Sequence, residues 1–189
     1  MTAIAIVTST VRPDRVSSQV ADWVLQEGAT RAREQFEIID IAGYDLPVWA
    51  GRPGEPPPSP QGREFAQAMA RFDGYVFVLA EYNHSVPSAL KNALDHLQPE
   101  LHTKAAAIVS YGSAMGARAA EHLRGILSEY HIAHVRESTL LSIFHDFHDF
   151  HDFTDLRPTP FAQAALSPML DRLGTWSRAM SAIRSGDID

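Results

Sequence analysis

Three short stretches carry the side chains best suited to chemistry. The first, Thr8-Ser9-Thr10-Val11-Arg12-Pro13-Asp14-Arg15-Val16-Ser17, puts hydroxyls and two guanidinium groups just before a helical pattern. A phosphate accepts several charge-assisted hydrogen bonds, and hydroxyls, Arg side chains and the free N–H groups of a helix N-terminus all supply them. The second, Glu81-Tyr82-Asn83-His84-Ser85, is a polar turn between an apolar run and a helix. The third runs from Ser110-Tyr111-Gly112 to Gly116, and its Gly112 lets the backbone approach a flat ring closely. Taken singly, each also reads as an ordinary polar turn; together they recur at the ends of the first, third and fourth strands.

The elements that must position these turns alternate in type. Ala3-Ile4-Ala5-Ile6-Val7 reads as a first strand, apolar on both faces as in a central parallel strand. A helix follows from about Ser18 to Arg33, with Val20 and Val24 inward. Residues 36–41 are expected as a second, less buried strand, at or near an edge. Ala42 to Gln61 holds six prolines and is expected as a long loop, since proline suits neither a helix interior nor a central strand. A helix from Gly62 to Phe72 leads to the third strand, Tyr75-Val76-Phe77-Val78-Leu79. The next helix spans about 87–97, with Ser85 as expected N-cap, Pro87 in its first turn, and Leu90, Ala93, Leu94 and Leu97 on one face. A fourth strand over 104–111, a helix over 117–130, a fifth strand over 132–141 and a last helix over 161–183 complete the chain. Strands alternating with helices imply right-handed crossovers and a parallel sheet covered on both faces, with ligands at the carboxyl ends of its strands.

The bulk numbers bound the function. A chain of 189 residues is read as a single domain, 1–189. A net charge of −7 argues against general nucleic-acid binding. The absence of cysteine excludes disulfides, thiolate catalysis and cysteine-held clusters, leaving redox chemistry to an organic cofactor. No signal-peptide pattern and no membrane-length apolar run are found, so a soluble cytoplasmic protein with no membrane or nucleic-acid partner is expected. No G-x-G-x-x-G follows the first strand and no G-x-x-x-x-G-K-[ST] occurs, which disfavours a dinucleotide fold and a P-loop NTPase.

The stretch Glu81-Tyr82-Asn83-His84-Ser85-Val86-Pro87, continued by Ala89-Leu90-Lys91-Asn92-Ala93-Leu94-Asp95, resembles the P-E-Y-N-x-S-(I/V)-P-x-x-L-K-N-A-L-D-W signature of the NADPH-dependent FMN reductase family. Ala80 replaces the usual Pro and His96 the usual Trp. The first turn resembles the family's G-S-x-R phosphate loop, with Thr10 at the Ser position, Ser9 in place of Gly, and Ser17 at the last polar position. The third resembles S-x-G-x-x-G-G-x-R-A, with Met115 in place of the first Gly of the pair. The resemblance covers roughly residues 3–135; the C-terminal part, about 142–189, diverges from it.

The resemblance implies a three-layer flavodoxin-like α/β fold, five parallel strands in the order 2-1-3-4-5 with helices on both faces. It implies FMN as cofactor, NADPH or NADH as hydride donor, a small-molecule electron acceptor, and a homodimer or homotetramer. The cofactor residues it implies are Thr10, Arg12, Arg15, Val16, Ser17, Glu81, Tyr82, Asn83, His84, Ser85, Ser110, Tyr111 and Gly112. Chemistry would rest on the flavin, with no catalytic side chain and no metal. Arg118 is read as a helix-surface residue or a subunit ion pair. Two rivals stay open: a flavodoxin-type electron carrier, and a non-catalytic FMN-binding module.

Residues 145–153 read His-Asp-Phe three times. Three Phe are too apolar for a fully solvated loop, so they are expected to wall a pocket or a subunit contact, with the Asp and His residues left in solvent and no metal required.

Overall fold

The computed structural model describes residues 1–52, 54–148 and 155–188. Five strands, β1 (Thr2–Thr8), β2 (Glu34–Ile39), β3 (Gly74–Ala80), β4 (Ala105–Gly112) and β5 (Ala133–Ser142), pair in the order β2-β1-β3-β4-β5. All four pairings are parallel. The three central strands are nearly continuous runs of Ala, Val, Ile and Leu, because a parallel strand covered on both faces exposes neither set of alternate side chains. Every residue of β3 and β4 is buried. The edge strand β2 alternates, as its sequence implies.

Five helices cover the sheet: α1 (Ser17–Gly28), α2 (Pro60–Ala70), α3 (Ser88–Asp95), α4 (Ala117–Glu129) and α5 (Pro160–Ser185). On one face Val20 and Val24 of α1 and Leu166, Met169, Leu170 and Leu173 of α5 pack on Ile4, Val76 and Val109. On the other, Phe65 and Met69 of α2, Leu90 and Leu94 of α3, and Leu123 and Leu127 of α4 pack on Ala5, Phe77 and Ile108. Truncating one of these leucines to Ala would cost roughly 2–5 kcal/mol, so each helix is pinned by its apolar stripe.

Several boundaries differ from the sequence reading. α1 stops at Gly28, five residues short of Arg33, because β2 packs there: a Cβ on Gly28 would lie 2.7 Å from the Phe36 ring. Arg31, beyond the helix, is drawn to α5 by the carbonyl (2.8 Å) and hydroxyl (3.0 Å) of Ser167. Ser85 is not the N-cap of α3. Its N–H and C=O are both spent on Tyr82 at 3.0 Å, and its hydroxyl meets His122 Nδ1 at 2.9 Å. Pro87, extended at φ −59° and ψ 140°, becomes the N-cap. Short 3₁₀ turns at Ile41–Tyr44 and Pro99–Leu101 have no counterpart in the sequence reading.

The proline-rich loop packs on its own chain. Asn92 of α3 donates to the Pro47 carbonyl (3.0 Å) and accepts from the Trp49 N–H (2.8 Å). His96 Nε2 meets the same Pro47 carbonyl at 2.9 Å; a carbonyl only accepts, so Nε2 carries the proton. The His that replaces the signature's Trp thus anchors the loop. β5 carries a register irregularity opposite Ala106–Ile108, where Arg124 of α4 donates to the carbonyls of Val135 (2.7 Å) and Arg136 (3.0 Å).

Candidate functional site

The first turn is held from below and from both sides. Thr10 and Ser17 are buried with their hydroxyl oxygens 3.2 Å apart. Ser9 Oγ accepts from the Ala80 N–H at 2.9 Å, so the residue that replaces a family Gly ties the end of β1 to the end of β3. Asp40, just past β2, accepts from Thr8 Oγ1 (2.8 Å) and the Ala42 N–H (3.1 Å) and pairs with Arg15. Burial alone would raise the Asp40 carboxyl. The hydrogen bonds from Arg15, Thr8 and Ala42, with the Arg15 charge, outweigh it and hold the group below its usual range. Arg15 also donates to the Arg12 carbonyl at 3.1 Å. Arg12 itself is exposed, with its guanidinium 5.7 Å from the centre of the Tyr82 ring.

The second turn is tight. Asn83 and His84 both take positive φ, +48° and +73°, between the paired Tyr82 and Ser85. A two-residue loop with this handedness requires left-handed conformations, which Asn and His adopt more readily than most residues. Asn83 and His84 are consequently exposed at the tip. Glu81 opens the turn; its N–H donates to the Tyr111 carbonyl at 3.0 Å, and its carboxylate pairs with Arg118 at the start of α4.

In the third turn Ser110 Oγ donates to the Met115 carbonyl at 2.9 Å. A Cβ on Gly116 would lie 2.7 Å from both Ser110 Cβ and the Tyr111 nitrogen, and its φ is +69°, so only Gly serves there. Met115, at φ +56°, holds a left-handed conformation without that freedom. Tyr111 is buried against Phe147, ring centres 6.2 Å apart. Burial pushes its phenol up to about 12, with Tyr82 adding to the rise and Thr10, Ser17 and Arg12 opposing it, so it stays an O–H at neutral pH.

A cavity of about 200 Å³ lies where these turns meet, lined by Arg12, Arg15, Val16, Glu81, Tyr82, Tyr111 and Gly112 together with Ala80, Ser113 and Ile143. Seven of the residues singled out from the sequence therefore converge. Thr10, Ser17 and Ser110 sit outside the lining with their hydroxyls engaged by the turns themselves, and Asn83, His84 and Ser85 form the neighbouring hairpin. The sequence reading missed Ala80, Ser113, Ile143 and the clamp residue Asp40. Ser113 stands inside a turn already singled out, whereas Ile143 belongs to no motif and comes in only because β5 ends beside Gly112, whose carbonyl it bonds at 3.3 Å.

Arg118 lies on the helix surface with its side chain 40% exposed, and its ion-pair partner Glu81, in the same chain, is only 4% exposed. One expectation needs correction. In the His-Asp-Phe repeat Asp146 is buried, not solvated: it accepts from the N–H groups of Ser142 and Thr159, both at 2.7 Å, and so closes the loop between β5 and α5. Phe147 is buried as expected of an apolar wall; Phe150 and Phe153 lie outside the described residues. Among the described residues no group of three or more His, Asp and Glu is placed to hold a metal. Likewise, no described helix is long and apolar enough to cross a membrane.

A five-stranded parallel sheet in this order, with a cleft between strand-end turns at its carboxyl edge, defines a flavodoxin-like α/β protein. The chain belongs to the NADPH-dependent FMN reductase family, whose family model matches residues 1–146. It is 36% identical over 129 residues to the NAD(P)H-dependent FMN reductase ntnL of Nectria sp, a match covering 63% of this chain and 64% of that one. The chain thus spans less than two thirds of that relative's length. It is 32% identical over 182 residues to a 2-hydroxy-1,4-benzoquinone reductase of Burkholderia sp, covering 93% of this chain and 96% of the relative. In fold it is similar to FerB, a flavoenzyme NAD(P)H:(acceptor) oxidoreductase of Paracoccus denitrificans, with TM-score 0.72, 19% identity and coverage of 95% and 99%.

Proposed function

We propose that residues 1–189 act as one FMN-binding domain and catalyse NAD(P)H oxidation with a small-molecule acceptor such as a quinone, free flavin, azo compound or metal oxyanion. The observation that carries this reading is the convergence of Arg12 and Arg15 with Tyr82, Tyr111 and Gly112 around one cleft. Cations stand beside flat aromatic and backbone walls, as a phosphorylated ring ligand needs. The fit is supported by a buried polar atom that the protein leaves unmatched, Glu81 Oε2, and by Gly112, where a Cβ would crowd Glu81 Cβ at 3.1 Å. At about 200 Å³ the cleft is smaller than one that engulfs a whole ligand, so it suits part of the ring, the remainder lying along the first turn.

FMN, once bound, supplies the two-electron chemistry: overall, NAD(P)H, a proton and a quinone become NAD(P)⁺ and a hydroquinone. The chain's residues bind and orient. Arg12 and the N–H groups at the start of α1 would take the phosphate, Val16 and Tyr82 would flank the ligand, and Tyr111 and Gly112 would border the ring. Thr10, Ser17 and Ser110 would support the turns, and Asn83, His84 and Ser85 would shape the mouth.

A homodimer or homotetramer and a cytoplasmic location belong to the same proposal. Val11 and Val48, exposed by 53% and 84% beside the cleft and on the proline-rich loop, favour a subunit contact there. Light scattering of the purified protein checks it, a 20.9 kDa monomer being the contrary result. For the activity, the FMN-loaded protein is assayed for oxidation of NADPH and of NADH with benzoquinone. Turnover is expected; flavin that binds but never turns over would instead favour the electron carrier or the non-catalytic module.

A further inference from the structure

The ion pair between Glu81 and Arg118 joins the turn after β3 to the first turn of α4. Arg118 sits in the first turn of α4, where the helix dipole disfavours a cation, so the helix does not account for its placement. Its partner is 4% exposed and, among the described residues, is the only acidic one lining the cleft. One carboxylate oxygen, Oε1, pairs with Arg118 Nη2; the other, Oε2, and Arg118 Nε are buried without a protein partner. A buried, unmatched carboxylate oxygen is costly, and it is found here on a residue of the cleft wall. A Cβ on Gly112 would lie 3.1 Å from Glu81 Cβ, so the glycine keeps the space beside Glu81 on the cleft wall open.

We propose that Glu81 and Arg118 form a charge couple that sets the reduction potential of the bound flavin, with Glu81 Oε2 accepting a hydrogen bond from an N–H of the ring. This rests on the FMN reading above. Reduction near neutral pH adds two electrons and one proton, leaving the ring one negative charge richer. Glu81 opposes that charge and Arg118 offsets Glu81. Removing Arg118 leaves the 4% exposed Glu81 carboxylate uncompensated where water screens it poorly, and removing Glu81 leaves only the cation, so the two removals act in opposite directions.

The test is reductive titration of FMN-loaded protein with dithionite against a reference dye, for wild type, Glu81→Gln, Arg118→Met and the double variant. Glu81→Gln is expected to raise the potential and Arg118→Met to lower it. Each should change the ratio of affinities for reduced and oxidised flavin roughly tenfold or more, 29.6 mV per factor of ten for a two-electron couple. The double variant is expected to return close to wild type. A merely structural role would weaken binding of both flavin states alike and leave the potentials in place. If Arg118→Met does not fold, Glu81→Gln and the double variant still decide: the first must rise and the second must fall back. Single variants that shift together or stay at the wild-type potential overturn the proposal alone. A wild type that binds no FMN overturns the cofactor reading and this proposal with it.

Discussion

Arg15 and Asp40 are joined across the end of the β1–β2 pair, so the two arginines of the first turn are not equivalent. Arg15, whose side chain is 20% exposed, is a clamp that holds the turn to β2. Arg12 is exposed over Tyr82 and, among the described residues, has no carboxylate partner. The free positive charge beside the cleft is therefore Arg12, and Asp40 is the residue that makes the distinction.

Asp40→Asn is expected to destabilise the protein by roughly 1–2 kcal/mol at neutral pH. A hydrogen-bonded charge pair is worth about 1.5–3 kcal/mol, and solvent at this partly exposed site reduces it. The Asp40 carboxyl is depressed from 3.8 in the folded state. Its contribution is thus fully present above about pH 4 and disappears as pH falls through the folded value. Urea melts of wild type and variant across acid pH should show a constant gap that closes below pH 4. A gap that persists unchanged at the acid end would contradict the assignment.

Lys104 is buried at the start of β4 and donates to the Ala70 carbonyl at 2.9 Å and to the Tyr75 hydroxyl at 3.0 Å. Burial, helped by the charge of Arg184 and opposed by Asp73 and Glu100, lowers it from 10.5 to about 8. Between those values the unfolded chain binds the extra proton, so this residue makes stability rise with pH, by roughly 1–3 kcal/mol in all. Lys104→Met should abolish that rise. Equal slopes for the two proteins between pH 8 and 10.5 would refute the assignment.

Phe147→Ala should cost about 3 kcal/mol or slightly more, the lower end for a buried Phe, because the site lies in a loop. Since Phe147 packs on Tyr111, FMN affinity should fall as well. Phe161→Ala, at a residue 79% exposed, should stay within about 0.5 kcal/mol of wild type. Comparable melting curves for the two variants would show that the first Phe of the repeat is not part of the wall.

The strand order came with the family resemblance, whereas the strands and the three turns were legible because apolar runs buried on both faces and polar strand ends leave a plain pattern in the chain. The helix ends were less so. Ser85 has the right chemistry for an N-cap, but its backbone pairs with Tyr82 and the tertiary neighbour His122 takes its hydroxyl. Asp40 and Ile143 were hidden for a similar reason, since each reaches the site through strand pairing and neither lies in a motif. The Glu81–Arg118 pair joins two turns whose residues were each read separately; their 37-residue separation carries no periodic signal.

The central claim is that the cleft at the ends of β1, β3 and β4 holds FMN that NAD(P)H reduces. It is tested most directly by the visible absorbance of the FMN-reconstituted protein during anaerobic titration with NADPH, repeated with NADH. The account predicts a protein-bound flavin spectrum that bleaches in proportion to added donor and returns when benzoquinone is admitted. A protein that retains no flavin after gel filtration, or a bound flavin that neither nucleotide bleaches, would contradict it.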